Sequence, residues 1–264
     1  MATITKIQWT DHTFHPWRGC TRVIASEAYW RQPIAWNRQA DKEGRRHRVC
    51  CASLADVFEE RQELNHPRAR LLSLIHRTPH LDWQLLTRRA DGILARLRDV
   101  AFLGETDHQE INDGACLAHQ WLHGSVMPNI WIMASVEDQQ RADERIPQLV
   151  ATPARVRFLS CEPLLGPINL NLNLLGERVA WVIVGGESGS SARPCDIRWI
   201  SEIVTQCQQA GVACFVKQLG THPCNGPPLP FGFASKLKLR NRKGGDISEF
   251  PGFLQVRQFP EVAM

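Results

Sequence analysis

Residues 181–189 read WVIVGGESG, in which four apolar residues run directly into two glycines, a glutamate, a serine and a glycine. An unbroken apolar run of this kind is typical of a parallel strand covered on both faces. The glycines after it let a ligand approach the backbone closely, and free amide groups there can bind an anion. A tight turn is the alternative. The spacing matches neither a phosphate-binding loop nor a dinucleotide fingerprint.

Five other apolar runs also end abruptly in polar residues, at positions 49–53, 83–86, 130–134, 156–159 and 212–216. Between most of the runs, helices are predicted over residues 68–77, 91–100 and 139–150, and from an N-cap at Asp196 to a stop at Gly211. Pro147 is expected to bend or end the third of these helices.

This alternation predicts an α/β fold of βα units with a mostly parallel, six-strand sheet. Residues 5–9 are a possible added strand. The sheet is either an incomplete TIM-like barrel or an open doubly wound sheet, and both bind ligands at the carboxyl ends of their strands. We expect one domain over residues 1–264, with an irregular tail from about residue 221.

Polar side chains at the predicted strand ends are expected to share one rim. We predict catalytic roles for Glu137, Glu162, Glu187 and Lys217. A substrate- or cofactor-binding role is predicted for Ser53, Asp56, Thr87, Arg88, Ser135, Gly185, Gly186, Ser188 and Gln218. If the three glutamates converge, at least one should have a raised pKa, because like charges disfavour joint ionisation. A structural network of ion pairs is the alternative reading.

Charge and hydrophobic content limit the classes of protein to which the chain can belong. The chain has 264 residues, is 43% hydrophobic and carries a formal net charge of +4, which does not by itself indicate nucleic-acid binding. It begins without an apolar secretory signal and contains no apolar stretch of about 20 residues, so we expect a cytoplasmic protein with no membrane span. Two short basic stretches, residues 45–48 and 236–243, either contact phosphates or form ordinary solvated surface.

Nine scattered cysteines indicate reduced thiols and no disulfide framework. No C-x-x-C pair occurs, so a zinc site is not expected. Cys50 and Cys51 are adjacent on a predicted strand and should point to opposite faces.

Several motifs along nearly the whole chain resemble a phage-associated family of uncharacterised proteins, distantly similar to radical S-adenosylmethionine enzymes. They are IQWTD (7–11), GCT (19–21), WNR (36–38), CASLADVF (51–58), LTR (86–88), SVE (135–137), EPLLGP (162–167), GGESG (185–189), RP (193–194), VKQ (216–218) and KGGD (243–246).

In that family the Gly-Cys-Thr segment opens a three-cysteine motif. Such thiolates hold a four-iron cluster with one iron open to S-adenosylmethionine. Here Cys20 is present, but residues 21–29 contain no cysteine. One thiolate cannot hold such a cluster, so Cys20 is expected to be only a remnant of the metal site.

Three functions stay open. The first is a degenerate radical S-adenosylmethionine-like protein, either inactive or retaining S-adenosylmethionine without the cluster. The second is a hydrolase or transferase that uses the strand-end glutamates and lysine. The third is an accessory protein that interacts with nucleic acid through its basic tail.

Overall fold

A computed structural model describes residues 5, 7–18, 23–226, 228–229, 232–233 and 235–261 of the chain. Its contacts form two compact units, residues 1–133 with 151–155 and residues 134–150 with 156–264. The prediction of one domain stays a prediction. Within the described residues, no helix has both the length and the apolar character that crossing a membrane requires.

The strands follow one another along the chain with helices between most of them. The strands are β1 (His12–Phe14), β2 (Trp17–Arg18), β3 (Val23–Ile24), β4 (His47–Cys51), β5 (Leu81–Thr87), β6 (Ile130–Ser135), β7 (Val156–Cys161), β8 (Trp181–Gly185), β9 (Cys195–Asp196), β10 (Ala213–Gln218), β11 (Pro223–Cys224), β12 (Pro228–Leu229) and β13 (Gly232–Phe233).

The helices are α1 (Glu27–Trp30), α2 (Gln32–Glu43), α3 (Asn65–His76), α4 (Ile93–Ala101), α5 (Gln109–Leu122), α6 (Gln139–Ala151), α7 (Leu172–Leu175) and α8 (Ile197–Ala210). Short 3₁₀ turns lie at Gln62–Leu64, Ala90–Gly92, Gly176–Arg178, Ile247–Glu249 and Gly252–Leu254.

The α/β class and all six predicted strands are confirmed, but the main sheet has seven strands in the order β1-β4-β5-β6-β7-β8-β10. The prediction of six strands is therefore wrong by one. The added strand is β1, at His12–Phe14, and not at residues 5–9, where the described residues form a turn. A strand of three residues, with polar His12 and Thr13, has too little apolar character to be recognised from sequence.

In the first unit, β1, β4 and β5 pair in parallel, with His12 opposite Val49 and Val49 opposite Trp83. Phe14 packs edge-on against Trp83 at 5.6 Å between ring centroids. It also meets Trp30 of α1 and Trp36 of α2 edge-on. These buried aromatic rings hold the first two helices against one face of the strands.

In the second unit, β8 pairs in parallel with β7 on one side and with β10 on the other. Asp196 caps α8 by accepting a hydrogen bond from the backbone of Arg198 at 3.0 Å, and Gly211 ends the helix with φ +66°. Both predicted boundaries are confirmed. Helix α6, however, continues through Pro147 to Ala151, so the proline does not end it.

The C-terminal segment covers the edge of β10. Val216 donates a backbone hydrogen bond to Val256 at 2.8 Å, and Gln258 donates one to Cys214 at 2.8 Å. Phe215 and Arg257 form an antiparallel bridge between these bonds. This part of the chain thus satisfies backbone groups of β10 that would otherwise stay without partners.

Candidate functional site

The central pair of the candidate site is Glu162 with Lys217. Val184 of β8 pairs with Cys161, the last residue of β7, and with Val216 of β10. Glu162 directly follows Cys161 in the chain, and Lys217 directly follows Val216. The two side chains therefore reach each other across the end of β8. The lysine Nζ lies 2.6 Å from Oε1 and 2.8 Å from Oε2 of the carboxylate.

This ion pair is accessible. The Lys217 side chain is 26% exposed and that of Glu162 is 16% exposed. Among the residues that the structure describes, neither side chain makes another hydrogen bond or ion pair. The pair is thus partly exposed to solvent, and it offers both a cation and an anion.

Gly185 and Gly186 lie against the end of β10. A Cβ atom on Gly185 would meet the carbonyl oxygen of Gln218 at 2.8 Å, and one on Gly186 would meet that of Leu219 at 2.4 Å. Gly186 also donates its amide to the Gln218 carbonyl, and the Gln218 side chain returns a bond to the Gly186 carbonyl at 2.8 Å. These groups join two strand ends, so the Gly186 amide is not free for an anion.

Glu187 is neutralised by Arg193. The arginine donates to its carboxylate from Nε at 2.7 Å, from Nη2 at 3.0 Å and from its backbone amide at 2.9 Å. These bonds lower the pKa of Glu187 to about 2. Glu187 is therefore not a glutamate with a raised pKa, because a cation and not a carboxylate is its nearest neighbour. Ser188 beside it is exposed.

Glu137 has a structural partner as well. Arg145 of α6 donates to its carboxylate at 2.9 Å and to the carbonyl oxygen of Ser135 at 2.8 Å. One guanidinium thus ties the end of β6 to α6, and Ser135 itself is buried. The arginine partners of both glutamates were missed from sequence, although Arg193 lies within a motif that carries the family resemblance.

Asp56 organises the strand ends of the first unit. Its carboxylate accepts hydrogen bonds from the hydroxyl of Thr87 and from the backbone amides of Phe58 and Arg88, all at 2.9 Å. Arg89 adds an ion pair at 3.3 Å. Asp56 and Thr87 are buried and bonded to one another, which indicates a structural role.

Two predicted binding residues of the first unit have side chains that are accessible to a ligand. Ser53 and Arg88 are exposed, and the Arg88 guanidinium makes no hydrogen bond or ion pair within the described residues. They follow β4 and β5, whose ends Asp56 holds in place.

The described cysteines do not form a site for an iron–sulfur cluster. Cys20 lies outside the described residues. Of the other eight cysteines, all but Cys116 are buried. Burial raises the pKa of Cys51 and Cys161, and raises that of Cys195 to about 12. Metals bind the thiolate, so such thiols are poor ligands. Within the described residues, no three His, Cys, Asp or Glu side chains are grouped to hold a metal.

The family described as "Protein of unknown function (DUF5131)" matches residues 22–249. The matched range contains every predicted site residue except Cys20, including the Glu162–Lys217 pair. No curated protein and no solved structure is significantly similar to the chain. Because the match covers most of the sequence, the chain belongs to the DUF5131 family of uncharacterised proteins.

Proposed function

We propose that the chain is a phage-type, radical S-adenosylmethionine-like protein with a barrel-like sheet and a degenerate cluster motif. In this proposal it binds a zwitterionic small ligand at the strand ends and does not carry out radical chemistry. S-adenosylmethionine is the candidate ligand, because the motif resemblance implies it. The observation that carries the proposal is the partly exposed Glu162–Lys217 ion pair at the carboxyl ends of β7 and β10.

The chemistry of the pair suits a ligand that has both an ammonium and a carboxylate group. Such a ligand can exchange the internal ion pair for two new ones, the lysine with its carboxylate and Glu162 with its ammonium. The exchange leaves no charge without a partner, which keeps the cost of desolvation low. Glu137 and Glu187 already bond arginines, so they support the site without being its centre.

A lysine favours this exchange. Its ammonium is a compact charge on a flexible stem, whereas an arginine forms fixed, forked contacts. The carboxylate of Glu187, by contrast, is held by three bonds from Arg193. The Glu162–Lys217 pair is therefore easier to reorganise than the Glu187–Arg193 pair.

Calorimetric titration with S-adenosylmethionine tests the proposal. We compare the wild type with Lys217→Met and Glu162→Gln. A matched control is the exposed pair Arg141–Glu144 on α6, changed to Arg141→Met and Glu144→Gln. We expect each site variant to raise Kd at least about tenfold, which corresponds to about 1.4 kcal/mol. The control variants should bind as the wild type does.

Two results contradict the proposal. One is a wild-type chain that binds no S-adenosylmethionine. The other is a site variant with an unchanged Kd, which would place the ligand elsewhere. Circular dichroism of each variant separates loss of binding from loss of fold.

The same geometry supports a second candidate, an enzyme that uses the pair for acid–base catalysis without radicals. A carboxylate within 2.8 Å of an ammonium group can pass a proton between a substrate and its neighbour. In that case Lys217→Met should abolish iron-independent turnover of a hydrolase or transferase substrate while leaving Kd within about twofold. If the wild type binds S-adenosylmethionine but turns over no substrate, the result would favour the first candidate, a ligand-binding protein.

A further inference from the structure

The net charge of the chain is concentrated near its C-terminal end. Residues 236–257 contain six lysines or arginines and two acidic residues, out of 31 basic and 27 acidic residues in the whole chain. The rest of the chain therefore holds 25 of each and has no formal net charge. We call residues 236–243 the basic segment. Its charged residues are Lys236, Lys238, Arg240, Arg242 and Lys243.

The basic segment is held at both ends by the chain that leaves β10. At its start, Lys236 forms an antiparallel bridge with Cys224, and Leu237 donates a backbone bond to Pro223 at 3.0 Å. Directly after its end, the carbonyl oxygen of Gly244 accepts the amide of Leu219 at 2.7 Å. Leu219 is two residues beyond Lys217, so the segment ends close to the candidate site.

Close backbone contacts confirm this placement. A Cβ atom on Gly244 would lie 2.6 Å from the carbonyl oxygen of Gly220, and one on Gly220 would lie 2.8 Å from that of Glu187. The backbones after β8, after β10 and after the basic segment therefore touch one another. Arg257 adds a bond to the carbonyl oxygen of Gly245 at 3.0 Å and one to that of Lys217 at 3.5 Å.

The charges of the segment are exposed and largely uncompensated. Lys238, Arg242 and Lys243 are exposed and make no side-chain hydrogen bond or ion pair in the part of the chain that the structure describes. Arg240 pairs with Glu249 at 2.8 Å, yet its side chain remains 89% exposed. Uncompensated cations on a fixed backbone are suited to an extended row of phosphates.

We propose that the basic segment binds the sugar–phosphate backbone of a nucleic acid, which is the macromolecular substrate presented to the strand-end site. This assignment of substrate rests on the proposed function, because it takes the Glu162–Lys217 pair as that site. It explains why the net charge of the chain lies beside this edge of the sheet. A segment that served only solubility would need neither this location nor anchors at both ends.

Fluorescence anisotropy with labelled oligonucleotides of about 20 residues, in about 50 to 400 mM salt, tests the proposal. The probes are single-stranded DNA, single-stranded RNA and duplex DNA, and their order of affinity identifies the form of nucleic acid. The test variant is Lys238→Gln/Arg242→Gln/Lys243→Gln. A control with the same charge change is Arg31→Gln/Arg38→Gln/Lys42→Gln, at exposed positions beside and on α2.

We expect the test variant to bind about 10- to 100-fold more weakly than the wild type near 0.1 M salt, and its salt slope to fall by about two. The control should change affinity by less than about threefold. Equal losses in both variants would overturn the proposal, as would a wild type that binds no probe at the lowest salt. Equally tight binding to heparin or to vesicles of anionic lipid would also overturn it.

The test variant should bind S-adenosylmethionine with the wild-type Kd. If wild type binds nucleic acid as expected but does not bind S-adenosylmethionine, the proposed small ligand is wrong and the nucleic-acid surface stands. If the wild type binds S-adenosylmethionine but no nucleic acid, the proposed nucleic-acid surface is wrong and the proposed small ligand stands.

Discussion

Lys217 places its ammonium group 2.6 and 2.8 Å from the two carboxylate oxygens of Glu162, across the end of a strand that separates them. Both residues follow positions paired with Val184 of β8. The contact thus depends on the register of three neighbouring strands. It also sets this pair apart from Glu137 and Glu187, whose partners are arginines on the chain nearby.

The stability of the fold should depend little on this ion pair. The pair is partly exposed, and exposed pairs contribute about 1 kcal/mol or less. We expect Lys217→Met to lower the free energy of unfolding in urea by less than about 1.5 kcal/mol, and the double variant with Glu162→Gln to recover part of the loss. A loss above about 3 kcal/mol would instead indicate a structural ion pair.

Asp56 should behave in the opposite way. Asp56→Asn replaces a carboxylate oxygen with an amide group that faces the Arg88 amide and Arg89, so one acceptor is lost. We expect a loss of about 1–3 kcal/mol in the free energy of unfolding. The exposed Asp107→Asn is the control and should change it by less than about 0.5 kcal/mol. Equal effects of the two substitutions would rule out the structural role.

His12 should make the fold less stable in mild acid. Its Nε2 lies 3.0 Å from Nδ1 of His47, and the His47 Nε2 lies 2.8 Å from a Glu43 oxygen. Its ring stacks on Trp36 at 4.4 Å. Burial, with His47 second, lowers the pKa of His12 from 6.5 to about 4. In the unfolded chain His12 therefore binds a proton near pH 6.5, whereas in the folded chain it binds one only near pH 4.

This difference predicts that the free energy of unfolding falls by about 3 kcal/mol as the pH drops through that window. Urea denaturation at several pH values measures it, and His12→Gln should flatten the dependence. The substitution His66→Gln, at an exposed position, should leave it unchanged. A dependence that His12→Gln does not alter would assign the effect to other groups.

Gln84 should be replaceable by an apolar residue of similar size. It lies on β5 at 0% exposure, and neither atom of its amide has a hydrogen-bond partner among the residues that the structure describes. An unsatisfied buried amide costs about 1–3 kcal/mol. We expect Gln84→Met to raise the free energy of unfolding by about 1–2 kcal/mol, with the exposed Gln208→Met as control. A loss of stability would mean that water or a ligand bonds the amide.

Iron content tests the degenerate motif. The chain, reconstituted anaerobically with iron and sulfide, should hold no stable four-iron cluster and should not cleave S-adenosylmethionine reductively, because too few thiolates converge. Iron analysis and visible absorption are the measurements. Stoichiometric iron that Cys20→Ala abolishes would show that other cysteines complete the site.

Features with a local signal could be predicted from the sequence. The six apolar runs identified six strands, and Asp196 and Gly211 marked both ends of α8, because strand burial and helix capping depend on neighbouring residues. Prediction failed at β1 and at the four unassigned helices α1, α2, α5 and α7, of which α2 and α5 are the long ones. Strand β1 is too short to show an alternation of apolar and polar residues. Helix α2 is mostly polar outside Pro33, Trp36 and Ala40.

The sequence by itself determined the α/β class, the βα order and the polar residues at the strand ends. Only the tertiary structure decided what those residues do. Glu137 and Glu187 meet arginines eight and six residues away in the chain, whereas Glu162 meets a lysine 55 residues away. A contact of that separation exists only when β7, β8 and β10 pair in their observed register. Register depends on the packing of whole strands and cannot be predicted from any short stretch of sequence.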